Sequence, residues 1–271
     1  MKLVYKLMVP VAIGAAVLTG TAASAAAGRP HRDAVVVEDI QLGSTAAYVV
    51  RPAHPGRHLA GVLYLHWFEP PASTQNRTEF LAEAVEVASH GAVAVLPDLT
   101  FPWQGDPIGT AADRANIEAQ LKAVGEAYRF LLAQRGVDAG RTAVVGHDYG
   151  AMYGAILAQR TPTVRTAVLM APDATWANWF DTYWLGLPDD QKAAYRALFK
   201  GLDPVDNVSR LGSRLYLQFA GRDQFVPPET RAAFAAANPK AKVSLYETAD
   251  HFLAQPAKDD RLAFVENQLG L

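Results

Sequence analysis

The chain has 271 residues, 50% hydrophobic and 19% charged, enough apolar material for a sizeable core, which excludes disorder as its main state. Its 25 Lys and Arg against 27 Asp and Glu give a net charge of −2 without a basic run, a poor match to a nucleic-acid binder. The absence of cysteine excludes disulfides, thiol nucleophiles, zinc–thiolate sites and lipid attachment through a leader cysteine.

The chain opens with Lys2 and Lys6, then an apolar run over 7–19 that is short for a membrane span, then Ala23-Ser24-Ala25 in small-x-small form. This predicts a secretory signal peptide over 1–25, cleaved after Ala25, with Ala27 as the alternative point. The mature protein is then expected to be extracellular or periplasmic, without stable membrane insertion after leader cleavage. Residues 28–33 read as a polar start, and 34–271 as a single domain.

Within that domain, 35–40 and 46–50 predict two strands joined by a hairpin turn at Gly43-Ser44. A short apolar run at 61–65 predicts a buried strand. Helical spacing over 78–90 puts Phe80, Leu81, Ala84 and Val87 on one face. Residues 92–96 predict a strand stopped by Pro97, and 110–134 a long helix with apolar Ile117, Leu121, Val124, Tyr128 and Leu131. Further strands are expected at 142–146, 166–170, 215–220 and 243–246, and helices at 151–159, 228–237 and 261–269. Strands separated by helices imply an eight-stranded, mostly parallel sheet with helices on both faces and an antiparallel edge. Ligands of such sheets sit beyond the carboxyl ends of the strands.

Three strand ends carry polar residues in a telling order. The strand at 142–146 runs into Gly146-His147-Asp148-Tyr149-Gly150 and then at once into a small-faced helix. Glycines two before and two after a central residue are what a strained strand–turn–helix elbow needs, and the helix N-terminus favours an anion there. The strand at 215–220 leads into Gly221-Arg222-Asp223, and that at 243–246 into Ala249-Asp250-His251. The reading is Asp148 as nucleophile, His251 as general base and Asp223 as the acid that orients it, with Asp173 as the rival acid. An earlier strand ends in His66-Trp67-Phe68-Glu69-Pro70. The backbone N–H groups of Phe68 and Tyr149 are expected to form an oxyanion hole, and His66 to be structural.

Residues 63–269 resemble the α/β-hydrolase superfamily. Leu202-Asp203-Pro204 followed by Gly221-Arg222-Asp223-Gln224-Phe225-Val226-Pro227, without a long helical cap, looks like the dienelactone-hydrolase-related branch. The resemblance implies the α/β-hydrolase fold, the triad Asp148–His251–Asp223 and the two oxyanion donors. Dienelactone hydrolases carry cysteine at the elbow and related esterases serine. The aspartate in Gly146-His147-Asp148 instead looks like epoxide hydrolases and dehalogenases of the same superfamily.

A carboxylate suits attack on a saturated carbon, because the alkyl ester it forms is then hydrolysed by water that His251 activates. Opening an epoxide or expelling a halide needs an acidic O–H or N–H donors for the leaving atom. The segment 173–213 supplies Trp176, Trp179 and Tyr183 and is read as a short lid after the sixth strand. Tyr183 is the preferred acid, with Tyr149 as second choice; Trp67 and Trp103 are expected to line the pocket. The leading expectation is a secreted hydrolase forming an ester on Asp148, with a small molecule as substrate and no nucleic-acid partner. A dienelactone-hydrolase-like esterase or lactonase, and a non-catalytic small-molecule-binding protein, are the alternatives. The seven histidines show no paired ligand spacing on one helix, and no phosphate-binding glycine string occurs, so no metal and no cofactor are expected.

Overall fold

Eight strands lie in the order β1-β2-β4-β3-β5-β6-β7-β8. They are β1 (Val35–Leu42), β2 (Thr45–Pro52), β3 (Leu59–Leu65), β4 (Ala92–Pro97), β5 (Val137–His147), β6 (Thr166–Met170), β7 (Leu215–Ala220) and β8 (Lys242–Tyr246). β1 and β2 form the antiparallel edge hairpin, β2 is antiparallel to β4, and the remaining pairs are parallel. This is the α/β-hydrolase fold. The computed structural model describes residues 34–68, 76–102 and 105–271. The expected signal peptide over 1–25, the polar start over 28–33 and Trp103 lie outside the described residues.

The sheet core follows from the apolar runs. Every residue of β3, β4 and β6 is buried, as a parallel sheet covered on both faces requires, whereas β1 alternates like an edge strand. Helices α1 (Leu81–Ser89) and α7 (Ala257–Leu269) pack together on one face, and α2 (Ala111–Leu132) and α3 (Tyr149–Arg160) on the other. Thr110 caps α2 through a capping box with Asp113.

The helix expected over 78–90 begins at Leu81, after a tight turn at Asn76–Thr78. Glu79 falls in this break, and its carboxylate serves tertiary partners described below. β5 begins five residues before the expected strand, because Val137 pairs with Leu59 across a register shift in β3.

The segment after β6 folds into α4 (Trp176–Phe180), a wider π-type turn at Asp181–Leu185 ended by left-handed Gly186, and α5 (Asp189–Ala197). Helix α6 (Pro228–Ala237) then joins β7 to β8. Trp176, Trp179, Phe180, Tyr195 and Phe199 are buried within the 173–213 segment.

Candidate active site

Asp148 occupies the turn between β5 and α3 with φ 49° and ψ −117°, a backbone combination costly for a side-chain-bearing residue. The flanking glycines make the turn possible. A Cβ on Gly150 would collide with the carbonyl oxygens of Leu65 and His66, and one on Gly146 would lie 2.6 Å from the Gly150 carbonyl. The Asp148 N–H donates to the Met170 carbonyl at 2.8 Å, which fastens the elbow to β6.

The elbow is strained toward the strand ends, and the Asp148 carboxylate lies there, 6% exposed. Its Oδ2 accepts the Phe68 N–H at 3.2 Å, while Oδ1 lies 3.9 Å from His251 Nε2. Tyr149, the first residue of α3, follows directly with its N–H at the helix N-terminus.

His251 sits in the loop after β8, and its Nδ1 lies 3.0 Å from each carboxylate oxygen of Asp223. Asp223 also accepts the N–H groups of Phe225 and Val226 at 2.9 and 3.0 Å. Burial opposes ionisation of Asp223, but the His251 bond, its charge and these two N–H groups hold the carboxyl below its ordinary range. Burial likewise works against charging His251, yet Asp223, Asp148 and Glu79 together carry its pKa above the ordinary imidazole value. In the expected role of general base, His251 must be neutral. Activity is therefore expected to rise with pH through a midpoint above about 6.5, read from a pH–rate profile. Linkage has the same origin. The raised His251 contributes stability that is full below its unfolded pKa and lost as pH rises through the folded one. The lowered Asp223 contributes stability present above its unfolded pKa and lost as pH falls through the folded one.

Asp173 does not face His251. It accepts the Thr175 N–H at 3.2 Å and Asn178 Nδ2 at 3.1 Å, so it secures the start of α4, and burial pushes its carboxyl up to about 6. His66 is structural in its contacts: Nε2 accepts the Leu99 N–H at 2.7 Å, which leaves Nδ1 to donate to the Trp67 carbonyl at 2.8 Å.

The aromatic residues divide into two layers. The Phe68 ring stands edge-on to Tyr149, Trp179 and Trp184 at 6.4, 5.9 and 5.4 Å. Trp67 lies edge-on to Phe252, and Phe225 and Phe252 flank the His251 ring at 4.9 and 6.1 Å. Trp176 corrects the expectation of a pocket wall. It is fully buried, packs on Tyr153 at 4.8 Å and donates Nε1–H to the Leu202 carbonyl at 2.9 Å, so it is core behind Tyr149 and Tyr153. The two tyrosines expected to act as acids also stand differently. The Tyr183 hydroxyl donates to the Phe225 carbonyl at 2.5 Å, committed to the loop that carries Asp223. The Tyr149 ring is fully buried against Tyr153 at 4.9 Å, and burial raises its phenol well above the ordinary value.

Trp184, an aromatic of the 173–213 segment, stands at the site as the lid reading expects, whereas Glu79, His147, Phe225 and Phe252 contact the site and were not expected there. A signal existed only for His147: a histidine at the end of a buried strand needs hydrogen-bond partners, so its position beside Asp148 marks a polar cluster. Among the described residues, no group of three or more His, Asp and Glu side chains could hold a metal ion.

Residues 79–270 match the family model described as the prolyl oligopeptidase family, a span that includes Asp148, Asp223 and His251. The chain belongs to the prolyl oligopeptidase family. None of the curated proteins matches it. Among solved structures, a prolyl endopeptidase superposes with TM-score 0.66 at 18% identity over 90% of this chain but 40% of its own. Acetyl xylan esterase 1 from a Thermoanaerobacterium species matches with TM-score 0.61 at 16% identity, covering 86% of this chain and 87% of its own. A Klebsiella pneumoniae protein described as a dienelactone hydrolase matches with TM-score 0.61 at 18% identity, covering 88% and 99%. The expected dienelactone-hydrolase likeness thus appears among the fold neighbours of this family member. At these identities the likeness establishes the fold and leaves the chemistry to the residues.

Proposed function

We propose that this family member is a hydrolase in which Asp148 attacks a saturated carbon of a small apolar electrophile, an epoxide or a haloalkane. One observation carries the reading: Asp148 Oδ2 already rests on the Phe68 N–H while Oδ1 is directed at His251. In acyl transfer, the substrate's own carbonyl oxygen must reach the oxyanion donors. Here the nucleophile's second oxygen already accepts one of them, the Phe68 N–H, as suits a mechanism in which the oxyanion forms on Asp148 itself.

In the first step Oδ1 bonds to carbon, and the carbon–halogen or carbon–oxygen bond breaks with its electron pair on the leaving atom. An epoxide oxygen then gains a proton from an acidic group or water. Oδ2 becomes the ester carbonyl, still on the Phe68 N–H. In the second step His251 takes a proton from water as its oxygen bonds to the Asp148 Cγ. The Phe68 and Tyr149 N–H groups stabilise the resulting oxyanion on Oδ2. Collapse expels the alcohol oxygen, which takes the proton back from His251, and the new Asp148 carboxyl releases the remaining water proton to solvent to restore the carboxylate. Asp223 keeps the imidazole in the right tautomer throughout. Phe68, Trp179 and Trp184 supply apolar walls, and Trp67 and Phe252 frame the side near His251. The secretory leader over 1–25 belongs to the same proposal and would place this chemistry outside the cytoplasm.

Esterase or lactonase activity is the second reading, favoured by the named esterase and dienelactone hydrolase neighbours. His251→Gln separates the readings. With styrene oxide or 1-bromobutane, the variant is expected to retain one covalent adduct per chain on Asp148, visible by intact-protein mass. Turnover is expected to fall by about 10²- to 10⁴-fold, as for loss of a general base. No adduct from either probe, with rapid wild-type hydrolysis of p-nitrophenyl acetate, would favour the second reading. Binding of all three probes without any reaction would favour a ligand-binding protein.

A further inference from the structure

His147 precedes the nucleophile, and its ring is 1% exposed. Nδ1 lies 2.6 Å from Glu79 Oε1, and Nε2 lies 2.9 Å from the backbone carbonyl of His251. Glu79 Oε2 accepts the Trp67 N–H at 2.8 Å. One carboxylate and one imidazole thus join three segments: the loop carrying the Phe68 donor, the elbow, and the loop carrying the base.

The proton count along this chain of contacts is constrained. A neutral imidazole has one donor nitrogen and one acceptor nitrogen. The His251 carbonyl can only accept, so Nε2 must donate to it. Nδ1 faces a carboxylate oxygen at a charge-assisted distance, and a proton must lie between them. We infer that Glu79 and His147 are positioning residues that share one proton beyond the complement of a carboxylate and a neutral imidazole. The shared proton fastens the oxyanion-hole loop and the base loop to the elbow.

The pair also shapes the field at the base. The His147 and His251 rings are 4.9 Å apart, and the Glu79 charge is one of those that favour protonated His251. The other charged groups facing His251 are Asp223 and Asp148. Behind Glu79 stands Glu83 of α1, itself paired with Arg261 of α7. With its shared proton the Glu79–His147 pair is neutral overall. The shared proton thus offsets the Glu79 charge, which weighs less on His251 than an uncompensated carboxylate there would. This inference rests on the proposed role of His251 only for its effect on turnover; the measurements below need no substrate.

Nitrogen-15 NMR of the full chain, with histidine labelled and assigned, tests it. Wild-type His147 is expected to show both ring nitrogens protonated or hydrogen-shared, with a low-field Nδ1 proton. In Glu79→Gln the amide can accept from Trp67 and donate to Nδ1. The Nδ1 signal is therefore expected to move to the unprotonated range, while the His251 titration midpoint stays in place. In His147→Gln the Glu79 charge loses its compensation, and the His251 midpoint is expected to rise by roughly half to one pH unit. The double variant is expected to restore it. A bare nitrogen on wild-type His147 would overturn the inference. So would a folded His147→Gln whose His251 titrates as in wild type. If His147→Gln does not fold, the wild-type and Glu79→Gln spectra decide.

Discussion

Asp148→Asn is expected to lower turnover of a reactive epoxide or bromide by at least about 10³-fold while leaving thermal stability nearly unchanged, measured by single-turnover rate and melting temperature. The amide is neutral and cannot displace a leaving group as a carboxylate does. Its oxygen can still accept the Phe68 N–H that Asp148 Oδ2 accepts at 3.2 Å. Asparagine also tolerates a positive φ better than most residues, so the 49° at this position adds little new strain. A variant that kept more than a tenth of the wild-type rate would show that the carboxylate is not the attacking group. A rate lost together with the fold would instead mark Asp148 as structural.

Arg261→Met is expected to destabilise the protein by about 3–5 kcal/mol in urea unfolding, the largest stability effect anticipated for a single surface-distant charge. Arg261 on α7 and Glu83 on α1 are both buried. Nε lies 3.0 Å from each Glu83 oxygen, Nη2 makes a shorter contact with Oε1, and Nη1 donates to the Leu253 carbonyl at 2.9 Å. Removing the guanidinium leaves a buried carboxylate that burial already pushes above its ordinary pKa. The penalty is therefore expected to shrink as pH falls and Glu83 takes a proton. The sign follows from the raised folded pKa: ionised Glu83 destabilises the fold at high pH, and protonation relieves it. The double variant Arg261→Met with Glu83→Leu is expected to recover much of the loss. An equal penalty in both variants would assign the effect to lost packing rather than to the uncompensated charge. Leu253 lies two residues beyond His251 and has φ 47°, so the same guanidinium also steadies the loop that carries His251.

The sheet and its strand ends are legible from sequence because the physics is local there. The strands at 166–170 and 215–220 and the helix at 228–237 appear with the expected bounds, since each apolar run is closed by turn residues. The glycine pair around Asp148 reads correctly for a similar reason: only a missing Cβ lets α3 pass the Leu65 and His66 carbonyls. The lid aromatics are not legible in this way. Trp176 and Trp179 sit three residues apart on a short helix, yet one is tied into the core by the Leu202 carbonyl and the other faces Phe68. Only the packing of α4 on the elbow decides which. Tyr183 was expected to offer its hydroxyl to a substrate, but a carbonyl 42 residues later takes it.

Glu79 is the clearest limit. An acid near a helix start reads as a solvated first-turn residue that favours the dipole. Its carboxylate instead turns inward to Trp67 and His147, and the helix begins two residues later than Glu79 itself. Such a partner set spans 68 residues of sequence and leaves no local pattern.

The central claim is that an oxygen atom of Asp148 passes into the product and is replaced by one from water. A single turnover of styrene oxide or 1-bromobutane in heavy-oxygen water, followed by digestion and mass analysis of the peptide containing Asp148, tests it directly. The account predicts one heavy oxygen in that carboxylate and ordinary oxygen newly bonded to carbon in the first-turnover product. Heavy oxygen in the product with an unlabelled Asp148 would mean that water attacks the substrate directly, and would contradict it.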